Sequence, residues 1–266
     1  MMTLDTRSAR FRFVAAVGAV AAAISVAGAS AAAAPALSAS SPSGISGMWQ
    51  MAPGQGGGGS RSPPEQRVVR DVNGAIPAMK PWVKKLVDER VAAYKVGKYF
   101  ANTASLCLPQ GLPYMLHGAI SGPIQILETP GQVTIISEEM AEIWMMYLNQ
   151  KHAAEPIEPT FHGDTVARWE GNTLVADSVA ISERTTLDQI GTPHSDAMHV
   201  VTRIRVLPDG QLEFHYTIDD PKSFDHPFDR RVLYRRAPAG ERVNDTACEN
   251  QTTSVDSDGY QVFNLE

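Results

Sequence analysis

The sequence predicts a mostly β protein, an antiparallel up-and-down β-barrel with a helical insert in its N-terminal part. Beyond about residue 120, hydrophobic residues recur with period two in short runs, which is typical of strands with one buried face. Turn sequences at 130–131, 171–172 and 208–210 separate these runs, and such short turns join antiparallel neighbours. About nine strands result, and closing them into a barrel removes exposed strand edges. A β-sandwich is the alternative architecture.

The first 34 residues are typical of a secretory signal peptide. Arg7, Arg10 and Arg12 precede an apolar run over 13–29, and small residues then offer cleavage sites of the A-x-A type. A membrane anchor would need about 20 strongly apolar residues, whereas this run is short and rich in alanine and glycine. We therefore expect residues 1–34 to be removed on export, a periplasmic or secreted location, and no membrane span after cleavage.

The mature chain is expected to begin with a flexible linker over 35–46, which is rich in proline, serine and glycine. A single barrel domain over 47–266 follows, with its first strand at 47–51 and a helical insert at about 62–100. Within the insert we predict a helix over 81–98, because proline suits a first helical turn and apolar residues recur near the helical period. Those apolar residues are Val83, Leu86, Val87, Val91 and Tyr94.

Eight further strands are predicted after the insert. They cover 124–129, 132–138, 142–148, 165–170, 173–181, 198–207, 211–219 and 230–236. The turn at 208–210 places proline and glycine where a type I turn with a left-handed residue needs them, so it sets the register of its hairpin. In that register His199 lies opposite Asp219, and Arg205 lies opposite Glu213, on the polar face of the sheet.

The charge of the chain argues against a nucleic-acid partner. Its 266 residues include 23 Lys+Arg and 29 Asp+Glu, for a formal net charge of −6, and the sequence contains no basic block. Proteins that bind DNA or RNA phosphates carry clustered Lys and Arg. We therefore expect no nucleic-acid binding.

The chain has two cysteines, Cys107 and Cys248. An even number of cysteines in an exported protein usually indicates disulfides, so we predict that Cys107 pairs with Cys248. A catalytic cysteine would need a base beside it, and the sequence around Cys107 offers none.

Gly47-Met48-Trp49 on the first strand, with an Arg-bearing last strand, resembles the signature of the lipocalins and related calycin-like barrels. In that family the tryptophan closes one end of the barrel and an arginine packs over it. The resemblance therefore implies that Arg231 or Arg235 packs over Trp49. The insert over about 52–120 departs from a minimal lipocalin.

A second resemblance covers most of the mature chain. The segments 107–113, 168–177, 193–196, 219–221 and 248–250 resemble a large group of exported bacterial proteins of uncharacterised activity, which share a W-E-G-x-T-L-V-x-D motif. This resemblance implies an exported, disulfide-bonded, single-domain protein and no particular reaction.

Acid and base side chains concentrate between residues 162 and 199, and a histidine or carboxyl group held near a substrate proton can act in catalysis. The candidate catalytic residues are His162, His194, Asp177 and Glu170. In our strand assignment His162, His194 and His199 could share one barrel mouth. The alternative is that each caps a turn or pairs with a carboxylate on the wet face. No spacing such as H-E-x-x-H is present, so we predict no metal site.

The candidate ligand-binding residues are Arg168, His199, Met145 and Tyr216. Arg168 and Asp177 share a strand face, so either that face is outward or a charged pair inside the barrel orients a ligand, since a buried charge needs a partner. Methionine adapts to irregular surfaces, which makes Met145 a suitable lining residue.

The function expected from these features is the binding of a small, apolar or aromatic molecule inside the barrel, because barrels of this size either fill with side chains or enclose one ligand. The alternative is a cofactor-free lyase, isomerase or hydrolase that acts on such a molecule through histidine and carboxylate groups. A third possibility is a structural or interaction protein with a filled barrel. We expect no cofactor in any of these cases.

Overall fold

The computed structural model describes residues 43–55, 62–117, 122–154, 157–244 and 253–263. The predicted signal peptide and Cys248 lie outside these residues. The barrel strands are β1 (Gly47–Met51), β2 (Ile124–Thr129), β3 (Gln132–Ser137), β4 (Glu142–Leu148), β5 (Asp164–Glu170), β6 (Thr173–Val179), β7 (His199–Val206), β8 (Leu212–Asp219) and β9 (Phe228–Arg236). The other elements are the helix α1 (Pro81–Lys95), the strands β10 (Thr253–Val255) and β11 (Gln261–Phe263), and short 3₁₀ helices at Pro64–Arg67, Ala104–Leu106, Tyr114–Leu116 and Glu139–Ala141.

The nine strands β1 to β9 form a closed barrel in chain order, in which β9 pairs with β1. The predicted barrel is thus confirmed as an architecture. The predicted hairpin register is also confirmed, since His199 lies opposite Asp219 and Arg205 opposite Glu213. The strands β10 and β11, which the sequence analysis did not predict, form a separate two-stranded sheet.

The expectation of a purely antiparallel barrel is wrong at one place. The strands β4 and β5 run parallel, with Tyr147 opposite Val166 and Leu148 opposite Ala167. Two consecutive strands can be parallel neighbours only when the connection returns to the starting end, and residues 149–163 make that return. The barrel is therefore mixed, with one parallel pair among antiparallel ones.

The two ends of the barrel differ in what covers them. Short turns at 130–131, 171–172 and 208–210 join strands at one end, which we call the turn end. The connections over 52–123 and 180–198 meet the barrel at the other end, together with the 220–227 connection and the 138–141 turn, and we call this the loop end. The helix α1 belongs to the first of these connections. Among the described residues, no helix is both long enough and apolar enough to span a membrane.

At the turn end an arginine packs over Trp49, as the lipocalin resemblance implies. The residue is Arg236, however, and not Arg231 or Arg235. Its guanidinium lies 3.8 Å from the centre of the Trp49 ring and donates to the carbonyl of Ser46 at 2.6 Å. The pairing of β1 with β9 places Arg236 opposite Trp49, so the two side chains lie on the same face of the sheet.

Large side chains of the described strands point into the lumen of the barrel. Trp49, Trp144, Met146, Phe214 and Tyr216 are all fully buried. Side chains of this size occupy much of the interior of a small barrel. An internal hollow at the loop end measures only about 10 Å³, which is about the space for one water molecule.

Candidate functional site

A buried network of polar groups lies at the loop end, where β4 begins. The side chain of Glu142 is only 1% exposed and accepts hydrogen bonds from the backbone N–H groups of Gln110 and Gly111, at 2.8 and 2.9 Å. The Nε2 of His162 lies 2.8 Å from the Glu142 carboxylate. The carboxylate therefore joins the 110–111 segment to the start of β5.

A second carboxyl group, that of Glu139, lies in the turn before β4, where the backbone has an unusual conformation. Met140 and Ala141 both have a positive φ, at 53° and 48°, a conformation that costs about 1–3 kcal/mol per residue outside glycine and clusters at functional sites. Glu139 lies beside them and accepts a hydrogen bond from the Gln110 side-chain amide at 2.8 Å. Burial, and then the negative charge of Glu142, raise the pKa of Glu139 to about 8. The Glu139 carboxyl is therefore protonated at neutral pH.

A second buried histidine, His194, lies in the 180–198 connection. Its Nε2 is 2.7 Å from the Thr185 hydroxyl and its Nδ1 is 3.0 Å from the Ser195 carbonyl oxygen. Burial lowers the pKa of His194, so the ring is neutral at pH 7. The Thr185 hydroxyl also lies 3.3 Å from the carbonyl oxygen of Leu112. The predicted residues His162 and His194 are thus each linked to segment 110–112 through one side chain, His162 through Glu142 and His194 through Thr185.

The other two predicted catalytic residues lie on the outer wall of the barrel. Asp177 is about one third exposed and contacts His199 at 2.7 Å and His152 at 3.2 Å. The second ring nitrogen of His152 contacts Asp164 at 2.9 Å. This cluster joins the connection before β5 to the strands β5, β6 and β7.

Glu170 is exposed and contacts two arginines, Arg168 at 2.6 Å and Arg203 at 2.8 Å. Both ion pairs lie outside the barrel. The face that Arg168 and Asp177 share is therefore the outward one, which resolves the choice that the sequence left open.

The predicted ligand-binding residues Met145 and Tyr216 lie on opposite faces of the barrel wall. Met145 is 44% exposed on the outer face of β4, whereas Tyr216 is fully buried and its hydroxyl lies 2.6 Å from Nδ1 of His117. Cys107 follows a 3₁₀ helix in the insert. Because Cys248 lies outside the described residues, the disulfide stays a prediction. The predicted site residues do not line one common cavity.

The sequence analysis did not identify Glu139 and Glu142. Glu142 could have been found, because it is in phase with Trp144 and Met146 and a period of two places all three on the inner face. A carboxylate at an inward position needs partners. No comparable signal identifies Glu139, since its environment depends on Gln110, which is distant in sequence.

A larger hollow lies beside α1. It is a groove of about 530 Å³ between the helix and the segments 65–68 and 76–79, and we call it the α1 groove. Its apolar lining includes Val68, Ile76, Pro77, Met79, Val87 and Val91. The charged residues Glu65, Lys84 and Asp88 also border it. Its volume falls within the range of about 300–1,000 Å³ that is usual for small-molecule pockets.

The walls of the α1 groove are anchored at several points. Lys95, at the end of α1, pairs with Glu65 at 2.5 Å. The facing wall is joined to the 220–227 connection, where Ala78 accepts a hydrogen bond from Asp225 N–H at 2.9 Å and Met79 forms a bridge with Phe224. Lys80, just before α1, pairs with Asp225 at 2.9 Å. The groove is therefore part of the folded loop end.

Within the part of the chain that the structure describes, no group of three or more His, Cys, Asp or Glu side chains is arranged to hold a metal ion.

No protein-family profile matches the chain, and no curated protein sequence matches it significantly. Among solved structures, the chain is similar to a mutant of the fluorescent protein UnaG, with a TM-score of 0.30 and 15% sequence identity. The match covers 73% of this chain and 96% of that one. A likeness at this level carries no inference about ligand or activity. The class that the fold and site define is a closed β-barrel with an apolar groove and a buried polar network at its loop end.

Proposed function

We propose that the protein is exported, to the periplasm or the cell exterior, and binds a small, largely apolar molecule in the α1 groove. The observation that carries this proposal is the groove itself, an apolar concavity of about 530 Å³. Burial of apolar ligand surface would stabilise the complex by about 25 cal/mol per Å² before the entropic cost of binding. Export is supported by the predicted signal peptide alone.

The groove is a better binding site than the lumen that the sequence suggested. The side chains of Trp49, Trp144 and Phe214 point into the lumen and are fully buried, and removing any of them would leave a costly cavity. The groove, in contrast, already exists, and it presents apolar side chains to solvent. Ile76, for example, is 47% exposed.

The test uses an uncharged probe and a compound library. Wild-type protein is titrated with Nile red and, separately, incubated with a mixture of aromatic, terpenoid and lipid compounds before mass spectrometry of the retained fraction. Ile76→Asp places a charge in the groove at an exposed position, so we expect it to weaken Nile red binding by about tenfold or more.

The matched control is Val96→Asp. Val96 is 75% exposed and lies just beyond α1, outside the groove lining, so this variant is expected to bind Nile red like the wild type. Saturable binding that Ile76→Asp weakens and Val96→Asp leaves unchanged would support the proposal. Equal loss in both variants, or no binding by the wild type, would contradict it.

A second candidate function is acid–base catalysis on such a molecule, without a cofactor. The observation that favours it is the buried contact between His162 and Glu142 beside Glu139, whose pKa of about 8 gives it a proton to donate at neutral pH. In the library experiment this function would appear as a product formed by the wild type and absent with His162→Ala. A retained compound that stays unchanged would favour binding alone.

A further inference from the structure

A second concave surface lies where β9 meets the insert. Two adjoining hollows, of about 210 and 280 Å³, share Gln55, Arg70 and Arg230 in their linings. We call them together the arginine cleft, because Arg67 and Arg231 also line it. Four arginines in one cleft are unexpected in a chain with a formal net charge of −6.

The four arginines differ in how their charge is balanced. Arg231 donates to the Glu213 carboxylate at 2.5 Å. Arg67 is buried and donates to the Ser62 carbonyl and the Gln189 side chain, both at 2.9 Å. Arg70 donates to the carbonyl oxygens of Gly74 and Glu65, at 2.8 and 3.1 Å. Among the described residues, neither Arg70 nor Arg230 has a carboxylate oxygen within 4.0 Å.

The wall behind Arg230 is neutral. The Arg230 guanidinium contacts Nε2 of His117, a histidine that is only 2% exposed. Burial, and then the charge of Arg230, hold the pKa of His117 well below its ordinary value. The Tyr216 hydroxyl, which contacts Nδ1 of His117, has its pKa raised to about 12 by burial. At neutral pH neither His117 nor Tyr216 therefore carries a charge beside the guanidinium, whose own charge acts to lower the pKa of the buried Asp188.

The two aspartates of the cleft accept hydrogen bonds from nearby backbone N–H groups. Asp188 accepts hydrogen bonds from the backbone N–H groups of Val69, Gly191 and Thr192, at 2.6, 2.9 and 2.9 Å, and from the Thr192 hydroxyl. Asp71 accepts backbone hydrogen bonds from Asn73 and Ala75, both at 2.8 Å. These carboxylates organise the surrounding chain, and neither is in direct contact with Arg70 or Arg230.

We propose that the arginine cleft binds an oxyanion, the carboxylate or phosphate group of a small molecule, through Arg230 and Arg70. A guanidinium presents parallel N–H donors that match both groups, and charge-assisted hydrogen bonds of this kind are about twice as strong as neutral ones. The partly buried position of Arg230 against a neutral wall strengthens the attraction, because the local dielectric is lower than that of water. This site adjoins the α1 groove, since Val68 lines both, but the two proposals depend on different side chains.

In the test, wild-type protein is titrated with inorganic phosphate and, separately, with benzoate, at constant ionic strength. Isothermal titration calorimetry measures the binding. We expect saturable binding of at least one probe. Arg230→Gln and Arg70→Gln should each weaken that binding by about tenfold. Arg235→Gln is the matched control, because Arg235 lies on the same strand but does not line the cleft.

The probes separate the two kinds of oxyanion. Binding of phosphate alone assigns a phosphate ligand, and binding of benzoate alone assigns a carboxylate. If Arg235→Gln weakens binding as much as the cleft variants do, the effect is a general one of charge and the proposed site is overturned. An absence of binding by the wild type would overturn it as well. If Arg230→Gln does not fold, Arg70→Gln decides the outcome. Nile red binding in the same variants tests the α1 groove separately.

Discussion

Glu139 and Glu142 have different environments although only two residues separate them. Glu142 accepts two backbone hydrogen bonds and contacts His162, whereas Glu139 accepts one hydrogen bond, from the Gln110 side chain. The single hydrogen bond does not offset the burial of Glu139 and its proximity to the Glu142 charge, so its pKa rises to about 8. This residue therefore makes the stability of the fold depend on pH.

We predict that Glu139→Gln removes a loss of stability that the wild type undergoes as the pH rises from 4.5 to about 8. Between the ordinary carboxyl pKa of 4.5 and about 8, the folded chain holds a proton that the unfolded chain has released, so wild-type stability falls as the pH rises through this window. The variant lacks this dependence. The difference in the free energy of unfolding between the variant and the wild type should therefore change between pH 4.5 and pH 8.5. We expect this change to favour the variant by roughly 1–2 kcal/mol, after a discount for solvent screening. Urea unfolding at both pH values measures the difference.

The control for this experiment is Glu89→Gln, which removes an exposed carboxylate on α1. Because this variant keeps Glu139, it should follow the wild type at both pH values. If Glu139→Gln also follows the wild type at both pH values, the Glu139 carboxyl is ionised in the folded protein and the prediction fails.

At the scale of elements, the segment around Gly111 connects the insert to the barrel. Its backbone N–H donates to Glu142, and a Cβ at this position would lie 2.2 Å from the Phe161 carbonyl oxygen and 2.5 Å from the Thr185 side chain. Gly111 also has a φ of 71°. The close approach of three chain segments thus depends on a residue without a side chain.

We predict that Gly111→Ala destabilises the fold by more than about 3 kcal/mol, because the clash is with backbone that cannot move alone. Gly210→Ala is the matched control. Gly210 has a φ of 82°, but a Cβ added there would meet no atom within 4 Å beyond its chain neighbours, so only the conformational cost of about 1–2 kcal/mol applies. Denaturant unfolding of both variants measures the contrast. Equal destabilisation of the two would show that the packing of the 110–112 segment contributes nothing.

For the whole molecule, the predicted disulfide would join the insert to the C-terminal part of the chain. Cys107 and Cys248 are separated by more than half of the sequence. A cross-link over so long a loop reduces the entropy of the unfolded chain, and typical disulfides stabilise by about 2–4 kcal/mol. The disulfide would constrain the connection over 52–123, which also contributes lining residues to the α1 groove and the arginine cleft.

We predict that the purified mature protein has no free thiol and that Cys107→Ser with Cys248→Ser lowers its stability by about 2–4 kcal/mol. Mass spectrometry with and without reductant counts the thiols, and thermal unfolding measures the loss. Reductant should lower the melting temperature of the wild type and leave that of the double variant unchanged. Two free thiols in non-reduced protein would refute the pairing.

Much of the barrel was predictable because its signals are local. The hairpin over β7 and β8 follows from one turn and a period of two, and its register was predicted residue by residue. The parallel pairing of β4 with β5 was not predictable, because it depends on the path of residues 149–163, which have no periodic pattern. The arginine over Trp49 was assigned to the wrong position although the phase of Val232 and Tyr234 indicates Arg236.

The candidate sites were predictable only in part. The sequence by itself determined the strands, the barrel class and the polar character of the residues near 162 and 194, since these depend on neighbours along the chain. The tertiary structure decided which large side chains are buried inside the barrel, that Asp177 and Glu170 face outward, and that Arg70 and Arg230 share a cleft. The physical reason is that concave surfaces and perturbed pKa values arise where distant segments meet, and the long connections of the loop end bring those segments together.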